Sequence, residues 1–457
     1  MIGAGRARRY LMGEGLGPFL IRSVAGSGAV QLGGMVATFL VGVQLARGLG
    51  VTGYGYYGIA MAVITLATIP GNFGIPKLVT REVAAAQSRK DPALMFGVIR
   101  WADRICGRLS GVIAAAMAIG AVIAWRNGSP VLGLSILLGA PMVALLPLSE
   151  IRGAALRGLH RVVLGQLSSV LLRPLAMSIL LFGLFSAGVV IGAPLVMALN
   201  SIVAAFAFLL AAAWLARSLP AKRAASSPVD ARGWLATSIP MALGDIISML
   251  QRQMAVLLLG IFTLPAQVGL FRVSIATAVA VSVPVAVVNI VVLPMFSRLH
   301  TEGDDARLQR LVTASAVIQF AGVLLLSLPL LFAAGPLLGF VFGSSYVPAA
   351  DTIRVLTLGM IISSGFGPSA ALLNMTGHER RVTRAISIAM FANITVIVLA
   401  APRWGSLGAA MGVLAGQICW NILLWLDARR GLSLETSIGG APALLPDGSS
   451  RNRTHDV

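Results

Sequence analysis

The stretch VVIGAPLVMALNSIVAAFAFLLAAAWLARSLPAKR, Val189 to Arg223, decides the fold. From Val189 to Leu215 it is almost wholly apolar, and Arg217, Lys222 and Arg223 follow. Roughly 20 apolar residues are enough to cross a bilayer. The stretch therefore reads as a membrane-spanning helix with a basic flank on its cytoplasmic side. Working outward from it, about twelve such segments fill the chain.

The gaps between the segments alternate in charge. Basic gaps hold Arg6, Arg8, Arg9 and Arg22, then the run from Lys77 to Arg108, then Arg152, Arg157 and Arg161. They continue with Arg217, Lys222, Arg223 and Arg232, then Arg298, Arg307 and Arg310, then Arg380, Arg381 and Arg384, and the tail with Arg429, Arg430, Arg451 and Arg453. The intervening gaps hold only Arg47, Arg126 and Arg403. Cytoplasmic loops carry the Lys/Arg excess, so both termini are expected in the cytoplasm.

Composition agrees. The 457 residues are 57% hydrophobic and 11% charged, with mean hydropathy +0.89; no soluble domain could solvate such a surface. The net charge of +19 is the sum of the loop residues and does not call for nucleic acid. The two cysteines, Cys106 and Cys419, make neither a disulfide framework nor a metal motif. No HExxH, CxxC or phosphate-binding loop is present, and the polar gaps are too short for a catalytic domain. An enzyme, a metal centre and an organic cofactor are therefore not expected.

The helices are expected near 24–45, 54–74, 105–125, 131–148, 162–185 and 189–215. After a polar linker, 216–233, they resume near 234–262, 268–296, 311–334, 349–374, 382–400 and 407–426. Residues 77–104 are expected to lie on the membrane surface as a helix. Residues 1–23 form a cytoplasmic N-terminus, and 428–457 a tail too rich in Gly, Ser and Pro to fold. The linker divides the chain into two six-helix bundles, 24–215 and 234–427. The halves look alike: GYGYYGIA from Gly53 matches QVGLFRVS from Gln267, ALRGLHRVV from Ala155 matches NMTGHERRV from Asn374, and IGAPLVMAL from Ile191 matches LGAAMGVLA from Leu407. An even number of helices per half inserts both halves the same way up, the parallel-repeat arrangement of transporters. The fold class is an all-α polytopic membrane protein, V-shaped around a central cavity.

Four arginines fall inside apolar segments: Arg173, Arg252, Arg272 and Arg354. A charge near the bilayer centre costs about 2.5–3.5 kcal/mol on insertion scales, so it normally faces a cavity. Asp245, Ser248 and Arg252 share one helix face, and Gln166 and Arg173 another. Gln31, Thr38 and Asn72 continue the polar lining. Arginine forks bind phosphate in pairs of hydrogen bonds and stay charged when desolvated. The four arginines are thus candidates for an anionic, phosphate-bearing substrate. Two readings stand for several of these groups. Asp351 and Arg354 either pair with each other or line the cavity; Arg272 either snorkels or lines it. Asp245 either neutralises Arg252 or carries a coupling ion, H+ or Na+, and Glu150 is a second candidate for that role.

LARGLGVTGYGYYGIA from Leu45 and GNFGIPKLVTREVAA from Gly71 resemble the first two helices of the polysaccharide transporter family, the O-antigen flippases of the multidrug/oligosaccharidyl-lipid/polysaccharide (MOP) superfamily. The residues that carry the resemblance are Arg47, Leu49, Gly50, Tyr54, Gly55 and Tyr57, then Phe73, Gly74, Ile75, Arg81 and Glu82, with MTGHERR from Met375 as a later match. The resemblance implies a flippase that carries an undecaprenyl-pyrophosphate-linked oligosaccharide across a bacterial inner membrane by alternating access, for surface polysaccharide such as lipopolysaccharide or exopolysaccharide. Its partners would be membrane lipids and a polysaccharide polymerase. The competing reading is a proton- or sodium-coupled drug or cation antiporter of the same superfamily.

Overall fold

The computed structural model describes residues 16–220, 231–432 and 434–440. Arg6, Arg8, Arg9, Lys222, Arg223, Arg451 and Arg453 lie outside the described residues, as do most of the linker and residues 441–457 of the tail. Among the described residues the ordered elements are helices, ten of them long and apolar enough to cross a membrane.

The first, α1 (Leu16–Ala67), consists of two helical arms meeting at Gly50, whose φ of 65° suits a residue without Cβ. The chain turns back there, so that Gly42 lies close to the Tyr54 hydroxyl. Next come α2 (Ile75–Ser88), α3 (Pro92–Arg126), α4 (Pro130–Gly139) and α5 (Met142–Gly158). A short helix (Val162–Gln166) and a π-helical stretch (Leu167–Leu172) lead into α6 (Arg173–Ser186), followed by α7 (Ala193–Ser218). The second part holds α8 (Ala231–Phe262), α9 (Pro265–Val281), α10 (Val283–Glu302) and α11 (Asp305–Phe332). It ends with α12 (Ala350–Gly365), α13 (Ser369–Met375) and α14 (Glu379–Leu432). The last helix is again two arms, meeting at Gly405 with φ 53°. Gly408 packs on Ala400, Gly412 on Ile397 and Gly416 on Asn393, the ladder of a tight helical hairpin.

Prolines set several of the breaks. Pro194 and Pro284 each stand in the first turn of a helix, where the missing N–H costs nothing, Pro368 caps α13, and Pro174 follows directly on the π-helical stretch that accommodates it. What reads from sequence as one helix over 268–296, bent or loosened at Pro284, is broken at Ser282, between α9 and α10. The helix over 54–74 is likewise broken after Ala67, and the one over 349–374 between Gly365 and Ser369.

Two expectations are corrected. The surface helix over 77–104 is two elements. Its first part, α2, buries Ile75, Leu78, Val79 and Val83 against α3 and α5, and its second part is the start of α3. The apolar face of α2 is covered by protein, with Gly158 packed on Val83. The tail is ordered as far as it is described. Leu434 and Thr436 are buried, Gln309 exchanges two hydrogen bonds with the Glu435 backbone (2.7 and 2.8 Å), and Trp425 Nε1 donates to Glu435 Oε1 at 2.6 Å. Burial raises the Glu435 carboxyl, but hydrogen bonds from Ser437 and Trp425 outweigh it and hold the group below its ordinary range. A depressed carboxylate contributes stability above its unfolded pKa and loses it as pH falls through the folded one. Trp425 fluorescence should therefore report release of the tail only as the pH drops below the range where a free glutamate takes up its proton, and Glu435→Gln should flatten that response.

The two parts of the chain meet along α1 and α9. Gly55 and Gly269 lie face to face: a Cβ on Gly55 would fall 3.2 Å from Gly269 N, and one on Gly269 would fall 3.3 Å from Gly55 N. The same Cβ atoms would run into the Pro265 and Val51 carbonyl oxygens respectively. Gly55 to Gly269 and Val51 to Pro265 are both 214 residues apart, so the contact is reciprocal between the matched segments. At this end, Arg47 donates to the Phe340 and Val341 carbonyls and the Tyr346 hydroxyl donates to Ala46 O at 2.9 Å. Each such bond contributes about 1 kcal/mol net. Arg47→Ala and Tyr346→Phe should each lower the melting temperature in detergent modestly, and together should speed labelling of a cysteine placed at Ala46.

Candidate functional site

Arg173 opens α6, directly after the π-helical stretch and before Pro174. Proline cannot donate to the preceding turn, and the backbone widens there. The guanidinium is thereby placed at a recess of about 190 Å³ between α1, α5, α6 and α7. Its walls carry Thr65, Thr68, Asn72, Ser149 and Glu150, with Met249 of α8 on the far side. None of the Arg173 guanidinium nitrogens has a hydrogen-bond or ion-pair partner among the described residues; its backbone N–H donates to Ser168 O. Glu150 pairs instead with Arg157, at 3.9 Å. Asn72 Oδ1 and Ser149 Oγ are buried in the wall without a protein partner among the described residues, and Gln166 Oε1 is likewise buried and unpartnered. A guanidinium with no hydrogen-bonding partner, beside amide and hydroxyl groups and with Glu150 on the same wall, offers donors in a fork, the arrangement that suits phosphate oxygens.

Asp245, Met249 and Arg252 follow one another at i, i+4 and i+7 on α8. Met249 lines the Arg173 recess, so this face of α8 looks toward the first half. Arg252 is exposed there, without a partner among the described residues. Asp245 does not neutralise it: its carboxylate pairs with Lys77 of α2 at 2.8 Å, both side chains being more than half exposed. Sequence reasoning missed Lys77 because it reads as one more cytoplasmic lysine. Ser248 turns its hydroxyl back to the Gly244 carbonyl (2.7 Å). Gln31 and Thr38 are exposed on the side of α1 opposite the apolar, exposed Val36 and Leu40.

The other two arginines sit elsewhere. Arg272 does not snorkel: it packs on Gly58 and stands 5.7 and 5.6 Å from the ring centres of Tyr54 and Tyr57, as a cation–π contact between the two halves. Tyr57 in turn accepts a hydrogen bond from Asn200 at 3.1 Å. The tyrosines of the Tyr54–Tyr57 motif thus hold the arginine of the opposite half. The repeat match of Gly55 with Gly269 was the available signal for this, since it sets Gly58 against Arg272. Arg354 pairs with Asp351 at 2.7 Å and caps the Leu331 carbonyl at 3.1 Å, away from the recess.

The fold and this site define a multi-pass membrane protein with a polar recess inside its membrane-spanning part. Residues 20–300 match the family model described as polysaccharide biosynthesis protein. The chain belongs to that family. No curated relative matches the sequence. Among solved structures it is similar to an inward-facing multidrug resistance MATE family transporter of the MOP superfamily, with TM-score 0.71 and 15% identity over 89% of this chain and 98% of that one. It is similar to the lipid II flippase MurJ in an inward closed conformation, with TM-score 0.69 and 12% identity over 88% of this chain and 87% of that one. An outward-facing MATE transporter structure gives TM-score 0.63 and 15% identity, over 93% and 97%. The fold is that of MOP-superfamily transporters.

Proposed function

We propose that the protein is a flippase for a lipid-linked, undecaprenyl-pyrophosphate-bearing oligosaccharide in cell-surface polysaccharide biosynthesis. The observation that carries this is Arg173, unpartnered at a polar recess inside the membrane-spanning part of a polysaccharide biosynthesis family member. In this reading Arg173 and Arg252 hold the phosphates, and Asn72, Gln166, Gln31 and Thr38 extend a polar lining between two six-helix bundles. Counting each arm of α1 and α14 separately supports twelve crossings, with the Lys77 end in the cytoplasm of a bacterial cell. The reciprocal Gly55–Gly269 contact closes the opposite end. The Lys77–Asp245 pair is one of the contacts that must part when the Lys77 end opens. Membrane lipids and a polymerase are its expected partners, and Asp245 and Glu150 the groups to test for ion coupling. Substrate release at the far leaflet would follow from exchange of which end is closed.

The test is complementation. A strain lacking the gene should lose surface polysaccharide and accumulate lipid-linked oligosaccharide on its cytoplasmic face, and the wild-type gene should restore export. Efflux of organic cations by the reconstituted protein, with no effect on the glycan, would instead establish the antiporter.

A further inference from the structure

The second half carries a recess of its own, of about 280 Å³, between α10, α11, α12 and the second arm of α14. Its place in the chain is that of the Arg173 recess. Thr68 and Ser282, which stand at the breaks after α1 and α9, are 214 residues apart, the spacing of Gly55 and Gly269. Farther on the spacing is 217. It relates the turns at His160 and Gly188, with φ 60° and 68°, to those at Gly377 and Gly405, with φ 79° and 53°, which moves the Ala155–Asn374 match by two residues and the Ile191–Leu407 match by one. The same spacing pairs Leu146 with Ser363, Glu150 with Gly367 and Ala204 with Asn421, and each of these six lines its own recess.

The two recesses differ in chemistry. Where the first has Glu150 and Arg173, the matched positions in the second are Gly367 and Met390. Where the first has Leu146 and Ala204, the second has Ser363 and Asn421. Charge has been removed and neutral hydrogen-bonding groups put in. The lining of the second recess contains no Asp, Glu, Lys, Arg or His. It holds carboxamides instead, hydrogen-bonded in two separate sets. Gln319, 2% exposed, donates to Asn289 Oδ1 at 3.0 Å. Asn421 Nδ2 donates to Ser363 Oγ at 2.9 Å. Gln417 Oε1 is buried in the wall with no partner among the described residues, against Gly359, where a Cβ would leave it no room. Trp420 completes the lining.

Carboxamides offer a donor and an acceptor side by side, which matches the paired donor and acceptor roles of neighbouring sugar hydroxyls. An indole offers an apolar surface to the C–H face of a sugar ring. An unpaired ion would find nothing here to neutralise it. We propose that this recess is a binding site for a neutral sugar, taking a glycan unit of the carried molecule while the first recess takes its phosphate. The assignment of the glycan to the carried molecule rests on the flippase reading; the sugar site itself rests on the recess.

The test uses the full-length protein in lipid nanodiscs, with two probes. One is a panel of methyl glycosides of glucose, galactose, mannose, rhamnose and N-acetylglucosamine; the other is inorganic pyrophosphate. At least one glycoside should give a saturable change in tryptophan fluorescence, and Trp420→Phe should remove that change. Asn421→Ala, which installs the first half's residue, and the isosteric Asn421→Asp should each weaken glycoside binding at least tenfold. Pyrophosphate binding should stay within twofold in both, which also shows that they are folded. Arg173→Ala should leave glycoside binding intact. The proposal is overturned if no glycoside in the panel binds, if Trp420→Phe keeps the response, or if neither Asn421 variant changes it. Glycoside binding without pyrophosphate binding would support the sugar site and overturn the phosphate reading of the first recess.

Discussion

Arg173→Ala should abolish export in a complementation assay, lowering surface polysaccharide at least tenfold at equal protein level in the membrane. The guanidinium has no protein partner to leave behind, so its removal costs the fold little. Its loss should act on substrate instead: a charge-assisted hydrogen bond contributes about 1.5–3 kcal/mol, and 1.4 kcal/mol is already tenfold. Arg173→Lys keeps the charge but loses the fork, and should fall between the two. Arg252→Ala should cost less, because that side chain is exposed on α8 and phosphate can reach it through water. Full export by both alanine variants would remove the case for a cationic site. Arg354→Ala should leave export near normal, since its partners are Asp351 and the Leu331 carbonyl.

The second large effect is expected at the meeting point of the halves. Gly55→Ala or Gly269→Ala would drive a methyl group into a backbone carbonyl, which unlike a side-chain tip cannot swing aside. Overpacking costs about 1–3 kcal/mol in well-packed cores, and a backbone obstacle belongs at the upper end of that range. Both variants should melt well below wild type in detergent. Both should also admit a thiol reagent at the Gly50 end, because the halves must separate to make room. Gly107→Ala is the control: a Cβ there meets nothing within 4 Å, and alanine favours the helix.

Much of the fold was legible because the bilayer imposes its own arithmetic on length and polarity. Apolar runs of spanning length, and the alternating basic gaps between them, marked the helices. The break at Thr68 was not legible, because hydrophobicity runs on through it without a polar gap; at Ser282 the signal was Pro284, which marked a bend. The α2 helix was misplaced for a related reason: an amphipathic helix has the same pattern whether protein or lipid covers its apolar face, and here Val83 meets Gly158. The tail was misread because composition says nothing of a segment that gains order by docking, as Glu435 does on Gln309 and Trp425.

The site was legible in part. Arg173 and Asn72 were found as polar groups out of place in apolar helices, and Glu150 as a carboxylate just beyond the end of one; the structure brings them to one recess. Arg272 and Arg354 carried the same signal but answer to Tyr57 and Asp351. A lone charge in a sequence does not show its partner, and pairing decides which charges are free for a ligand. The amide-lined recess was missed altogether, since Asn, Gln and Ser spread singly over four helices leave no mark that a hydropathy reading can see.

The Gly55–Gly269 contact has the form of an isologous interface, in which one patch meets its own copy across a two-fold axis. In a true homodimer a single glycine codon would serve both sides of such a contact. Once the two copies lie in one chain, each side has its own codon and both must be kept. The fused arrangement leaves each half free to acquire its own recess, and it exposes the shared hinge to damage from either of two places in the gene.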